Sequence, residues 1–386
     1  MPTYAGVLPF DCLEDNSVID ATRFEEIVRK LNRTQAMTTI ARLNLFTADQ
    51  PREINVQYRA LRALHQDGLV SNSVINRIRA FVSENRGCQW YFFGRCQVLE
   101  LLRALALWSS EETPTIEKEQ SDAFIQATLM AYEVFALRLE IPSMPDTEDT
   151  PEFAFEFLRA MREKSLLQHG VTNPLAMLGR IPLLMDKHFF LANPHYKQTF
   201  EQVTGMSLED YRDCATLIFA ATTMAVPNPN KLESFDDTYD FSLDELCRDF
   251  PLKRVAMERF LELESIDLEL FSRKFDGQIP SDFLDLRLFR EKPILALPNG
   301  RFIAIDASFL ADRATYGPLF YNIGKNNQDK FDVFGDAFES YCLDEIRNNA
   351  KIWKSAEPIH RHVAQPNRRG EYPPEVSDVT LSNGTS

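Results

Sequence analysis

The stretch FDVFGDAFESYC, from Phe331 to Cys342, sets a carboxylate, Glu339, one helical turn after Gly335, the residue that leaves a helix surface bare. A carboxylate so placed can pass a proton or offer a hard oxygen ligand to a divalent cation such as Mg²⁺. One carboxylate alone would hold Mg²⁺ weakly, so a second from another element is needed. VSDVTLSNG, from Val376 to Gly384, contains one in Asp378. Between Arg347 and Arg369 stand six basic residues (Arg347, Lys351, Lys354, Arg361, Arg368, Arg369) and one acidic residue, Glu357. That cluster is either a solvated loop and strand face or a surface that meets phosphate. His360 and His362 flank Arg361 and would share one face of a strand; no third ligand is spaced to complete a transition-metal site.

These residues need a helix and two strands to position them. Phe334, Ala337, Phe338 and Tyr341 recur at helical spacing and are expected to face a core, with Glu339 at the edge of that face. A strand is expected near EPIHRHV. From Val376 to Leu381 the pattern alternates, with Val379 and Leu381 on one face and Asp378 and Thr380 on the other. Asn383-Gly384 is a two-residue hairpin signal. A returning strand should follow it, and the sequence as given stops at Ser386, as if cut inside a β-meander. Upstream, PILALPNGRFIAID reads as a hairpin around Asn299-Gly300.

The rest of the chain is read as helices, in a domain over 1–140 and a second region over 151–290, before a hairpin and α/β part over 293–386. REINVQYRALRALHQDG ends on Gly68, a helix C-cap signal. YFFGRCQVLELLRALALW and SDAFIQATLMAYEVFALRLE are apolar enough to be central helices, and CQWYFFGRC is read as a helix start plugged into the core. PLAMLGRIPLLMDKHFFLA is expected to break at Pro182. Ser207 and Ser242 each open a Ser-x-x-acid capping signal. The proline-rich acidic stretches Ile141–Pro151 and Val226–Phe241 read as loops. No fixed repeat period appears.

Composition narrows the function classes. With 44% hydrophobic and 26% charged residues the chain is globular. Its apolar runs are too short to span a bilayer, and no secretion signal opens it, so no membrane association is expected. Six scattered cysteines lack zinc-knuckle spacing and suggest a reducing cytoplasm. A net charge of −15 repels phosphate backbones overall, so any nucleic-acid contact must be local. No Gly-x-Ser-x-Gly elbow, phosphate-binding glycine loop or dinucleotide fingerprint is present among only 14 glycines, which argues against serine hydrolases, P-loop NTPases and Rossmann enzymes.

The order of a helix with Glu339, a strand near EPIHRHV, then a strand and turn with Asp378 resembles the first half of the PD-(D/E)xK, or restriction-endonuclease-like, nuclease superfamily. FGDAFESYC is similar to that family's first-helix pattern and VSDVTLSNG to its metal-binding strand. The resemblance covers about the last 60 residues. It implies Glu339 and Asp378 as metal-binding and catalytic positions, Mg²⁺ as cofactor, and a nucleic-acid substrate toward which Lys351, Lys354, Arg361, Arg368 and Arg369 would face. The family's acidic-x-Lys motif would fall on the strand after Asn383-Gly384, so this chain alone is expected to be inactive or nearly so. The fold expected is therefore mainly α, with a large multi-helix region before a small α/β segment. The function expected is a bacterial protein with a helical region that binds a protein partner, joined to an incomplete nuclease-like domain of an anti-phage defence or DNA-processing system. The alternative is a helical protein-interaction module without catalysis.

Overall fold

The computed structural model describes residues 4–13, 20–48, 54–86, 88–115, 122–138, 174–228, 231–235, 240–248, 253–266, 287–323, 329–349, 357–361 and 379–382. The fold is mainly α with a small mixed α/β part. In chain order the described elements are β1 (Tyr4–Val7), α1 (Ala21–Val28), α2 (Arg33–Ala48), α3 (Ile54–Gln66), α4 (Asn72–Glu84), β2 (Cys88–Tyr91), α5 (Arg95–Trp108) and α6 (Ala123–Arg138). Then come α7 (Pro174–Arg180), a π-helix (Ile181–Phe190), α8 (Pro194–Thr204), α9 (Leu208–Ala225), α10 (Leu243–Arg248), α11 (Arg254–Glu264), β3 (Ser265–Ile266) and α12 (Arg287–Glu291). The last are β4 (Ile294–Ala296), β5 (Phe302–Ala304), α13 (Ala307–Thr315), a short π-helix (Pro318–Asn322), α14 (Asp329–Asn349), β6 (Glu357–Arg361) and β7 (Val379–Ser382). The chain divides into two compact units, Met1–Thr172 with Asp213–Leu310, and Asn173–Arg212 with Ala311–Ser386.

The first unit is built around α2, α5 and α6, with α5 packed on both others. Every residue of α2 from Ala36 to Thr47 is buried, as a helix apolar around most of its circumference must be. Three of its buried polar side chains donate inside: Thr39 and Thr47 to carbonyls one turn back, at 2.9 and 2.8 Å, and Asn44 Nδ2 to the Ile305 carbonyl at 2.8 Å. The buried Arg103 of α5 donates to the buried Glu100 at 2.8 Å. α3 ends as its glycine predicted. Gly68 has φ +75°, its N–H reaches the His65 carbonyl, and the Leu69 N–H reaches Leu64, a Schellman motif.

The reading of CQWYFFGRC as a helix start needs correction. Cys88–Tyr91 is β2, paired in parallel with β1, and helix begins only at Arg95. Aromatic residues favour a strand as readily as a buried helix, and Gly94 separates the two elements. Gln57 of α3 fixes the turn between them, its Oε1 accepting the N–H groups of Phe92 and Phe93 at 3.0 and 2.8 Å. The expected hairpin is present. β4 and β5 pair antiparallel, Gly300 adopts φ +74° in the turn, and β3 adds in parallel on the other side of β4.

Asp306 joins this small sheet to the helical core. Its Oδ1 caps α13 by accepting the Ser308 N–H at 2.8 Å. Its Oδ2 accepts from Arg95 Nε at 2.6 Å and from Asn44 Nδ2 at 3.1 Å. Arg95 also lies over the Phe309 ring, 4.9 Å from its centroid. Burial pushes the Asp306 carboxyl up, but the Arg95 charge and the hydrogen bonds from Arg95, Asn44 and Ser308 outweigh it and hold the group below its ordinary value.

In the second unit the chain does not break at Pro182. The α-helical geometry of α7 ends at Arg180, two residues before the proline, and the chain goes on directly as the π-helix with Pro182 in its first turn. The π-helix buries Leu184, Met185, Phe189 and Phe190. Phe189 stacks on Tyr196 of α8 at 5.2 Å. Ser207 caps α9 as predicted, accepting the Asp210 N–H at 3.0 Å. In the first unit Ser242 and Glu245 form a full capping box at α10.

The buried ion pair of Asp306 gives a direct prediction. Asp306→Asn removes the carboxylate charge that Arg95 meets at 2.6 Å, and the urea unfolding free energy should fall by about 3 kcal/mol. A carboxyl held below its unfolded-state value stabilises the fold above about pH 4 and loses that contribution as pH falls further. The deficit of the variant should therefore be full at pH 7 and shrink below pH 4.

Candidate functional site

α14 carries the first of the expected site residues. It follows from a run of helix formers with apolar residues at one spacing, and it meets the π-helix along one face. There Phe334 approaches Phe189 at 6.2 Å, and the Tyr341 ring meets the His188 ring at 6.2 Å. Asp344 Oδ2 accepts from Lys187 Nζ at 2.6 Å and lies 3.5 Å from His188 Nε2. Burial pushes the Tyr341 phenol up, and the charge of Glu345 adds to it.

The expected core face of α14 is narrower than its sequence suggested. Ala337 is buried and Phe334 packs among Phe189, Tyr316 and Phe320, but Phe338 is 43% exposed. At 100° per residue Phe338 stands at the margin of the face centred on Phe334, Ala337 and Tyr341. Glu339 is not at the edge of this face. It lies about 170° around the helix from its centre by the same arithmetic, with Gly335 about 40° from it. The Glu339 side chain is half-buried, and its Oε2 is closed off from solvent. A Cβ added at Gly335 would meet no atom within 4 Å, so the surface there is bare, as read.

α14 also contacts β6 and β7, the two strands expected from the sequence. They pair antiparallel, with Arg361 opposite Val379, His360 opposite Thr380, Pro358 opposite Leu381 and Glu357 opposite Ser382. The register shifts between Pro358 and His360, a bulge-like irregularity. Asp378, Lys351, Lys354, Arg368, Arg369 and His362 lie outside the described residues. Arg361 is described in its backbone alone. Asp378 is the residue immediately before β7, whose first residue pairs with the end of β6. The structure therefore brings together α14 and the strand pair next to Asp378. Among the described residues no group of three or more His, Cys, Asp and Glu side chains is arranged to hold a metal ion.

Elsewhere, in the first unit, Arg59, Arg62, Arg79 and Arg86 line one cleft. Their helical spacing is visible in the sequence, yet the sequence reading placed its basic surface at Arg347–Arg369 instead. Among the described residues no helix is long and apolar enough to cross a membrane. Comparison with protein-family models, with curated proteins and with solved structures finds no match to this chain.

The open space at Gly335 is testable. With nothing for a Cβ to strike, Gly335→Ala removes only the conformational freedom of glycine and should stabilise α14 by about 0.5–1 kcal/mol. A thermal melt checks it. A lower midpoint would mean that the helix surface at this point is closed.

Proposed function

We propose that the C-terminal part of the chain is a nuclease-like phosphodiester-cleaving domain, attached to a helical region that binds a partner. The observation that carries the reading is the contact of α14, the helix of Glu339, with both strands of the β6–β7 pair, whose second strand starts one residue after Asp378. A helix followed by two antiparallel strands is the order that the nuclease resemblance requires. The donor set suits Mg²⁺, which takes hard carboxylate oxygens and keeps several waters. Glu339 and Asp378 would hold it, and a bound Mg²⁺ would neutralise phosphate charge and lower the pKa of an attacking water.

The protein's own residues have distinct parts in this reading. Glu339 sits on a helix anchored from its far face by the π-helix, so its backbone position is held without using its own side chain. Lys351, Lys354, Arg361, Arg368 and Arg369 would steer the nucleic-acid backbone toward the two carboxylates. By the resemblance, activity would also call on an acidic-x-Lys motif beside the two carboxylates. The four described free cysteines, Cys12, Cys214, Cys247 and Cys342, agree with a cytoplasmic setting. A bacterial defence or DNA-processing role follows from the resemblance and belongs to the same proposal.

The test is thermal unfolding with and without MgCl₂. At a concentration tenfold above its dissociation constant, Mg²⁺ should stabilise the wild type by about 1.4 kcal/mol, and Glu339→Ala and Asp378→Ala should lose most of that shift. Equal shifts in all three proteins would remove the metal site and leave the helical interaction module as the reading.

A further inference from the structure

The hairpin formed by α3 and α4 carries a charge pattern opposite to that of the chain. Between Ile54 and Arg86 stand five arginines (Arg59, Arg62, Arg77, Arg79, Arg86), no lysine and two acidic residues, in a protein of net charge −15. One of the acids, Asp67, is buried and accepts from Ser234 Oγ and from the Phe235 N–H, so its charge is used inside. Arg77 is turned away, donating to the Leu13 carbonyl. The other four arginines gather around a single cleft of about 720 Å³. No acidic side chain lines it among the described residues.

The two helices present matching stripes to this cleft. On α3 they are Asn55, Tyr58, Arg59 and Arg62, and at α4 they are Arg79, Val82, Ser83 and Arg86, both at the spacing i, i+3, i+4, i+7. Each stripe runs for about 10 Å along its helix. The core-facing sides are elsewhere: α3 buries Val56, Ala60, Leu61 and Leu64, and α4 buries Val74, Ile75 and Ile78. Arg86 Nε donates to the Ser83 carbonyl at 3.0 Å, which carries the second stripe past the end of the helix. Tyr58 is held edge-on against Phe92 at 4.9 Å. Burial pushes its phenol up while the charge of Arg79, on the other helix, pulls it back, so the two stripes act on one space.

A solvated arginine face is the bland alternative, and such faces interleave acids at i+4, which lowers their self-repulsion. Here four arginines converge on one cleft that no acidic side chain lines among the described residues, an arrangement suited to an anion. All four are arginine, whose planar fork pairs with two phosphate oxygens at once, as lysine cannot. The Tyr58 phenol and the Asn55 and Ser83 side chains add neutral donors, and the volume lies in the range of small-ligand sites. We propose that this cleft binds a run of adjacent phosphate groups, carried either by a free nucleoside polyphosphate or by a single nucleic-acid strand. It lies in the first unit and does not depend on the nuclease reading.

The experiment titrates the full chain with inorganic tripolyphosphate and ATP by calorimetry, and with a fluorescein-labelled oligothymidylate by anisotropy. Binding of any of the three is expected, weakened at least about tenfold in Arg62→Ala/Arg79→Ala, with the melting temperature unchanged because both residues are exposed. The double lysine variant should recover only part of the affinity, since it keeps the charge and loses the forks. Tripolyphosphate and ATP binding without oligothymidylate binding identifies the free nucleotide as the source. Oligothymidylate binding whose salt slope falls by about 1.4 in the double alanine variant identifies the strand. The proposal is overturned if no probe binds, if the double alanine variant binds as tightly as the wild type, or if a polyglutamate peptide binds as tightly as tripolyphosphate.

Discussion

A buried carboxylate with four hydrogen-bond donors organises the first unit. Asp306 receives Arg95 from α5, Asn44 from α2 and two backbone N–H groups from the start of α13. A carboxylate this deeply buried is tolerated only when paired and fully bonded, so each contributor constrains the others. Asn44 also donates to the Ile305 carbonyl, at the edge of the small sheet. One charge thus fixes the position of β5 against α2, and the start of α13 against α5. The hydrophobic core around it supplies most of the stabilisation, but apolar contacts alone would permit neighbouring registers that this geometry forbids.

Such a node was not legible in the sequence. Asn44, Arg95 and Asp306 are up to 262 positions apart, and none stands in a local motif. What the sequence did carry was local. Gly68 and Gly300 were readable because a positive φ is a property of one residue, and Ser207 and Ser242 because a cap spans four. α5 and α6 were readable because a helix apolar on most sides has to be central. β1 and β2 were missed because a four-residue parallel pair draws its stability from a partner 84 positions away, not from its own alternation. The turn that delivers β2 to α5 is set by Gln57, a polar residue on an otherwise ordinary helix.

The second unit shows the same division. The strands of the candidate site were visible as short alternating runs, and both β6 and β7 are present and paired. The orientation of α14 was not visible. Phe334, Phe338 and Tyr341 look equivalent in a helical pattern, but the surface they meet is a π-helix, wider than an α-helix and therefore offering a different row spacing. Phe334 and Tyr341 find rings of Phe189 and His188, and Phe338 is left at the margin. By 100° per residue Glu339 stands about 150° from the centre of the four-residue face and about 170° from the centre of the observed one, so it lies on the far side of the helix in either case. That placement matters chemically, because a carboxylate at the edge of a packed face competes with its apolar neighbours, while one on the far side can be enclosed by other elements. Its Oε2 is enclosed.

Charge is distributed as unevenly as chemistry. An overall charge of −15 repels polyanions from the protein as a whole, so a local cationic cleft such as that of the α3–α4 hairpin sets where one can approach. The hairpin reaches that state by subtraction as much as by addition. Asp67 is withdrawn into a buried contact with Ser234 and Phe235, and Glu84 does not line the cleft. With neither acid on the face, the side chains of Arg59, Arg62, Arg79 and Arg86 line one cleft, on helices held in place by their apolar faces. Core packing on the other sides of α3 and α4 thus holds like charges around one cleft, where a bound anion would offset them.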